Sequence, residues 1–102
     1  MITKISIIIP IFNEKKNIIK LINEIKKKLI FIKYEVIFVD DNSTDGSIDI
    51  LKRIKFIDKR FGYIIHRGPR DLTQSCFKGI EIAKSDLIVI MDGDLQHNPT
   101  YI

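Results

Sequence analysis

The sequence predicts an α/β domain with a mostly parallel sheet, helices on both faces and the order βαβαβαβ, and three observations carry that prediction. Four short aliphatic runs recur along the chain: "ISIIIPIF" at 5–12, "YEVIFV" at 34–39, "FGYIIH" at 61–66 and "DLIVIM" at 86–91. Between them lie segments whose apolar residues return every three or four positions. The second and fourth runs are continuous rather than alternating, as expected of parallel strands covered on both faces.

Each element has its own warrant. The first helix is marked by Ile18, Leu21, Ile22, Ile25 and Leu29, with lysines on the remaining faces. The second follows Ser43-Thr44-Asp45, whose hydroxyl and carboxylate groups can cap its start, and carries Ile48, Leu51 and Ile54 at steps of three. The third sets Leu72, Cys76, Gly79, Ile80 and Ala83 on one face. Helices alternating with strands cross between parallel neighbours in the right-handed sense. The segment "KKNIIKLINEIKKKLIFIK" reads as a helix covering the sheet with a solvated lysine face, the alternative being a membrane-surface amphipath.

At 102 residues the chain fits one domain, 1–102, with a modest core. A composition of 45% hydrophobic and 29% charged residues, with 5 Gly and 3 Pro, excludes disordered, collagenous and membrane-spanning classes. The 17 Lys and Arg against 13 Asp and Glu give a formal net charge of +4, which favours anionic partners without choosing among them. Cys76, the single cysteine, forms no internal disulfide and reads as a small core residue in a reducing compartment. No segment approaches the roughly 18 apolar residues of a membrane span, and the first residues lack the pattern of a signal peptide. A cytoplasmic location is expected, at the cytoplasmic face of a membrane if the chain attaches to one.

Open parallel sheets bind ligands at the carboxyl ends of their strands, so the residues following each run are the candidates. They are Pro10, Phe12, Asn13 and Glu14; Asp40, Asp41, Asn42 and Ser43; His66, Arg67 and Arg70; and Asp92, Gly93 and Asp94. Acidic clusters at neighbouring strand ends repel unless a cation compensates them or their pKa values rise. A hard divalent ion, Mg²⁺ or Mn²⁺, suits such oxygen donors. In an extended segment Asp92, Asp94 and Gln96 point the same way, and Gly93 admits a close backbone approach. Few protein ligands leave positions for water and substrate phosphates, which suggests a nucleoside diphosphate. The plainer reading of Asp92-Gly93-Asp94 is a polar turn. Neither G-x-G-x-x-G nor G-x-x-x-x-G-K-[ST] is present, which disfavours a dinucleotide domain and excludes a P-loop. His66 and His97 have no cysteine at zinc spacing, and His97 reads as a loop residue. Arg67 and Arg70 suit either phosphate or solvent.

The ordered motifs "SIIIPIFNEKKNI", "YEVIFVDDNSTDGSIDIL" and "DLIVIMDGDLQHNP" resemble the nucleotide-binding half of a family-2 glycosyltransferase of the Rossmann-like GT-A fold. The branch most resembled is that of the dolichol- and polyprenyl-phosphate sugar transferases, and the resemblance covers essentially the whole chain. It implies that Pro10, Phe12 and Glu14 line the base and ribose, with Val39 and Asp41 against the base and Asp40 nearby. It implies that Asp92, Asp94 and Gln96 surround a Mg²⁺ or Mn²⁺ gripping the sugar diphosphate beside Gly93, so that Asp92 and Asp94 carry the catalytic role. Phe12 stands where many relatives have Tyr, keeping a stacking face and giving up a hydroxyl. Arg70-Asp71-Leu72 replaces a Gly-rich segment of many relatives, and Arg70 carries over as a phosphate contact.

The implied donor is a GDP- or UDP-linked sugar, and the implied acceptor a lipid phosphate bound by a further C-terminal half; nucleic acid is not among the expected partners. The resemblance also implies that the chain is the donor half of a longer, truncated enzyme, and turnover by the 102 residues alone is not expected. Two other readings are a non-catalytic remnant of such an enzyme and a receiver-like phosphoacceptor module. The latter is suggested by "FVDDNS" but disfavoured because the acidic pair follows the second strand rather than the first.

Overall fold

The computed structural model of the chain describes residues 4–69 and 71–91. Seven elements follow the predicted order: β1 (Lys4–Ile11), α1 (Lys15–Lys28), β2 (Lys33–Asp40), α2 (Ser47–Ile57), β3 (Phe61–Ile65), α3 (Leu72–Ile82) and β4 (Leu87–Ile90). All described strand pairs are parallel, and the sheet runs β3-β2-β1-β4. The chain therefore steps outward from β1 through β2 to β3, then returns to the other side of β1. That reversal makes the carboxyl end of β1 beside β4 the topological switch point, where open α/β sheets take their ligands.

Side-chain alternation along β1 explains why helices are needed on both faces. Ile5, Ile7, Ile9 and Ile11 pack with Val36 and Phe38 of β2, the α1 residues Ile18, Leu21, Ile22 and Ile25, and Leu51 of α2. On the opposite face Ile8, Ile37 and Val39 pack with Ile80 and Ala83 at α3. The predicted α1 stripe is buried throughout, Leu29 included. Lys26, Lys27 and Lys28 fill the last turn of that helix, where cations meet the negative end of its dipole.

The second helix starts at Ser47, after Ser43-Thr44-Asp45 as expected, with Gly46 at the N-cap in a φ +95° conformation open to glycine at little cost and Asp45 Oδ1 accepting from the Ser47 amide and hydroxyl. Two expectations are corrected. Leu72 is 67% exposed rather than core, since α3 turns Ser75 and Gly79 to the sheet. Cys76 is only partly buried; it lines an apolar cavity of about 300 Å³ with Leu72, Thr73, Phe77, Ile80 and Ile90, and burial pushes its thiol pKa up. No helix among the described residues is long and apolar enough to cross a membrane.

Gly79 sets how closely α3 approaches the sheet. A Cβ there would lie 2.5 Å from Ile8 Cγ2 and 3.1 Å from Val39 Cγ2. Alanine normally stabilises a helix interior by up to about 1 kcal/mol over glycine. Forcing an extra methyl into a packed core costs about 1–3 kcal/mol, which reverses the sign here. Gly79→Ala is expected to destabilise the fold by about 1–2 kcal/mol in urea unfolding; a stabilised variant would show that α3 can move away from Ile8 freely.

Candidate nucleotide site at the strand ends

Register brings the loops together. Ile11 pairs with Asp40 and Asp40 with Ile65, so β1, β2 and β3 end level and the segments beginning at Phe12, Asp41 and His66 emerge side by side. On the other flank Pro10 has no N–H to offer the β1–β4 ladder. The Ile8 carbonyl accepts from Met91 N on the β4 side, whereas the Ile11 carbonyl accepts from Asp41 N on the β2 side. Pro10 is in phase with Ile8, so the N–H it lacks is the one that would have faced β4. Among the described residues the last β1–β4 pair is Ile8 with Ile90.

The first two loops are tied into one rim by a relay centred on Asp40. This residue is 0% exposed, and its carboxylate accepts from Ser43 N at 2.7 Å and Ser43 Oγ at 2.6 Å. Ser43 Oγ in turn accepts from Asn13 N at 2.8 Å, and Asn13 Oδ1 accepts from Thr44 N at 2.9 Å. Asn13 and Asn42 have φ of +51° and +62°, the left-handed region in which Asn is over-represented and which is often found at binding sites. Asp45 closes the far end, accepting from Lys15 N and from the amide and hydroxyl of Ser47. Partial burial works to raise the Asp45 carboxyl, but the bonds from Ser47 and Lys15 outweigh it and hold the group below the usual carboxylate range.

The third loop joins through a buried histidine. His66, 3% exposed, places Nδ1 2.8 Å from Asp41 Oδ1, and its backbone N–H donates to the Asp40 carbonyl at 2.7 Å. Arg67 donates to Asn42 Oδ1 at 3.4 Å, a second and longer tie between the same loops.

The residues expected at a ligand therefore divide. Pro10 and Phe12 are partly buried at the end of β1, and Glu14 is partly buried with Oε2 accepting from Asn17. Asp41 lies at the rim with its side chain 11% exposed. Val39 is sealed beneath α3, with its side chain in the core. Asp40 is a buried anchor of the loop, which places its carboxylate beneath the rim rather than in it. Arg70, Asp92, Gly93, Asp94 and Gln96 lie outside the described residues. Among the described residues no three His, Cys, Asp or Glu side chains gather as a cation site. Asn13, Ser43 and His66 stand among the candidates by their position just past strand ends, and Asp45 is expected only to cap the second helix; that they tie the loops to one another is not legible in the sequence.

Comparison with known proteins agrees with this architecture. Dolichol-phosphate mannosyltransferase of Pyrococcus furiosus is 32% identical over 101 residues, covering 97% of this chain and 28% of that protein. The protein of the same name from Saccharomyces cerevisiae is 36% identical over 97 residues, covering 92% and 36%. Thus the chain spans about a third of the length of these relatives. Among solved structures, the mannosyltransferase PcManGT from Pyrobaculum calidifontis in complex with GDP-Man and Mn²⁺ superposes with a TM-score of 0.78 at 22% identity, covering 92% of this chain and 28% of that one. S. aureus TarS 1-349 in complex with UDP gives 0.69 at 25% identity, covering 90% and 28%. The fold is that of the GT-A glycosyltransferases. Residues 6–102 match the family model described as Glycosyl transferase family 2, and the chain belongs to that family.

Proposed function

We propose that this chain is the donor-binding part of a metal-dependent glycosyltransferase that moves a sugar from a nucleoside diphosphate to a polyprenyl or dolichyl phosphate. The observation that carries the reading is the rim itself: three loops at the carboxyl ends of β1, β2 and β3 in a GT-A sheet, locked to one another through Asp40, Ser43, Asn13 and His66. Such preorganisation reduces the ordering cost of binding. Relatives named for dolichol-phosphate and undecaprenyl-phosphate substrates support the lipid acceptor. Structures holding Mn²⁺ with GDP-Man or with UDP support the donor and the cation.

In this reading Phe12 stacks on the base, Asp41 accepts from it, and Pro10 and Glu14 complete the wall around base and ribose, while Val39, expected against the base, backs that wall from the core instead. Arg70 and the Gly93 backbone meet the phosphates. Asp40 acts through Ser43, holding the rim in place. Asp92, Asp94 and Gln96 would hold Mg²⁺ or Mn²⁺; this all-oxygen set suits a hard cation, and the carboxylates of Glu14, Asp40, Asp41 and Asp45 already have partners of their own. A bound cation would neutralise the charge that develops on the departing diphosphate. A phosphate acceptor is already anionic, so the chain needs no strong general base to activate it. The acceptor would bring the enzyme to a membrane surface, where the lysines of α1 favour anionic head groups.

Ligand binding to the folded state raises its stability, by about 2.7 kcal/mol at a hundredfold excess over Kd. With Mn²⁺ present, saturating UDP or GDP is expected to raise the thermal midpoint by about 10 °C. No shift with either nucleotide in a folded sample would remove the donor-site reading.

A further inference from the structure

We infer that His66 is the positioning residue for Asp41, fixing that carboxylate as an acceptor that selects nucleobases carrying a ring imino N–H; the inference rests on the proposed nucleotide site. The sheet order makes β3 the neighbour of β2, and the Asp40–Ile65 register places the next residues, Asp41 and His66, at adjacent strand ends. The imidazole is held on several sides. Its backbone amide is bonded to the Asp40 carbonyl, its side chain is 4% exposed, and Nδ1 sits 2.8 Å from Asp41 Oδ1. The following loop folds back over the other ring edge, so that a Cβ on Gly68 would lie 3.4 Å from Nε2.

A carboxylate accepts only, with about four lone-pair positions on its two oxygens. The bond from His66 uses one of these positions and restrains the rotation of the group. A carboxylate so restrained presents an acceptor to whatever base lies against the rim. Uracil offers the imino N–H at its ring and guanine an imino N–H beside an amine. Cytosine and adenine offer a bare ring nitrogen at the corresponding edge, whose lone pair repels a carboxylate. The chemistry therefore favours uridine or guanosine diphosphates over cytidine or adenosine diphosphates, and His66 maintains the difference by preventing Asp41 from rotating towards an exocyclic amine.

Two substitutions separate this role from packing. In His66→Asn the amide nitrogen overlays Nδ1 and keeps the donor to Asp41; in His66→Gln it overlays Nε2 and withdraws it. UDP, CDP, GDP and ADP would be titrated into the full chain with Mn²⁺, alongside thermal unfolding of each variant. The wild type is expected to favour UDP over CDP, or GDP over ADP, by at least about tenfold, the worth of one hydrogen bond to a charged group. His66→Gln should lose most of that ratio and His66→Asn should keep it. An unchanged ratio in His66→Gln, an equal loss for all four nucleotides, or a wild type indifferent to the base would each overturn the inference while leaving the nucleotide site standing. A wild type that binds none of the four would overturn the functional reading and this inference with it.

Discussion

Asp40→Ala is expected to destabilise the domain by about 3 kcal/mol, lowering its thermal midpoint by about 15 °C, and to weaken any nucleotide binding at the rim. Asp40 is fully buried, and both its hydrogen-bond donors come from Ser43, itself 9% exposed. Without the carboxylate, a backbone N–H and a hydroxyl are left in the interior with no acceptor. Each orphaned donor costs about 1–3 kcal/mol, and bonds to a charged group sit at the high end. The loss spreads because Ser43 Oγ also accepts from Asn13 N, so the β1 loop that carries Phe12 and Glu14 loosens with it. Asp40→Asn keeps one acceptor oxygen and should cost about half as much, since its amide cannot serve both donors. Urea unfolding of the two variants checks the order. A cost under about 1 kcal/mol for alanine would mean that water or a rotated Ser43 replaces the carboxylate readily.

The sequence spoke most clearly where one element decides its own structure. The stripe Ile18, Leu21, Ile22, Ile25 and Leu29 is buried as its spacing implies, because a helix lying on a sheet must turn that face inward. Strand limits moved by at most one residue, and Pro10 proved compatible with a central strand because its missing N–H faces the β4 side, beyond the last described pair of that ladder. The errors share another cause. Leu72 fits the helical period of α3, yet Gly79 allows so close an approach to Ile8 that the smaller Ser75 and Gly79 take the inward face. The Asp40 relay and the His66–Asp41 pair join residues 25–31 positions apart except within the 40–43 turn, and no local pattern announces them. They become legible only once the order β3-β2-β1-β4 is known, for that order makes the second and third strand ends neighbours.

Asp94→Ala is expected to remove metal-dependent nucleotide binding, reducing the affinity measured with Mn²⁺ by at least about a hundredfold, since even indirect supporters of a metal ligand cost 10–100-fold when removed. The expectation follows from the small donor set. In the proposed site the cation meets three protein oxygens, from Asp92, Asp94 and Gln96, so the loss of one carboxylate would remove a ligand and half of the formal charge facing it. Asp94→Asn should be less damaging, since an amide oxygen still coordinates but carries no charge.

The measurement that tests the central claim most directly is a calorimetric titration of the folded chain with UDP and with GDP, each with and without Mn²⁺, beside the Asp94→Ala variant. The account predicts binding of at least one nucleotide that requires Mn²⁺ and disappears in Asp94→Ala, while the variant unfolds at the wild-type temperature. Binding that is indifferent to Mn²⁺ and to Asp94, or no binding by a demonstrably folded wild type, would contradict it.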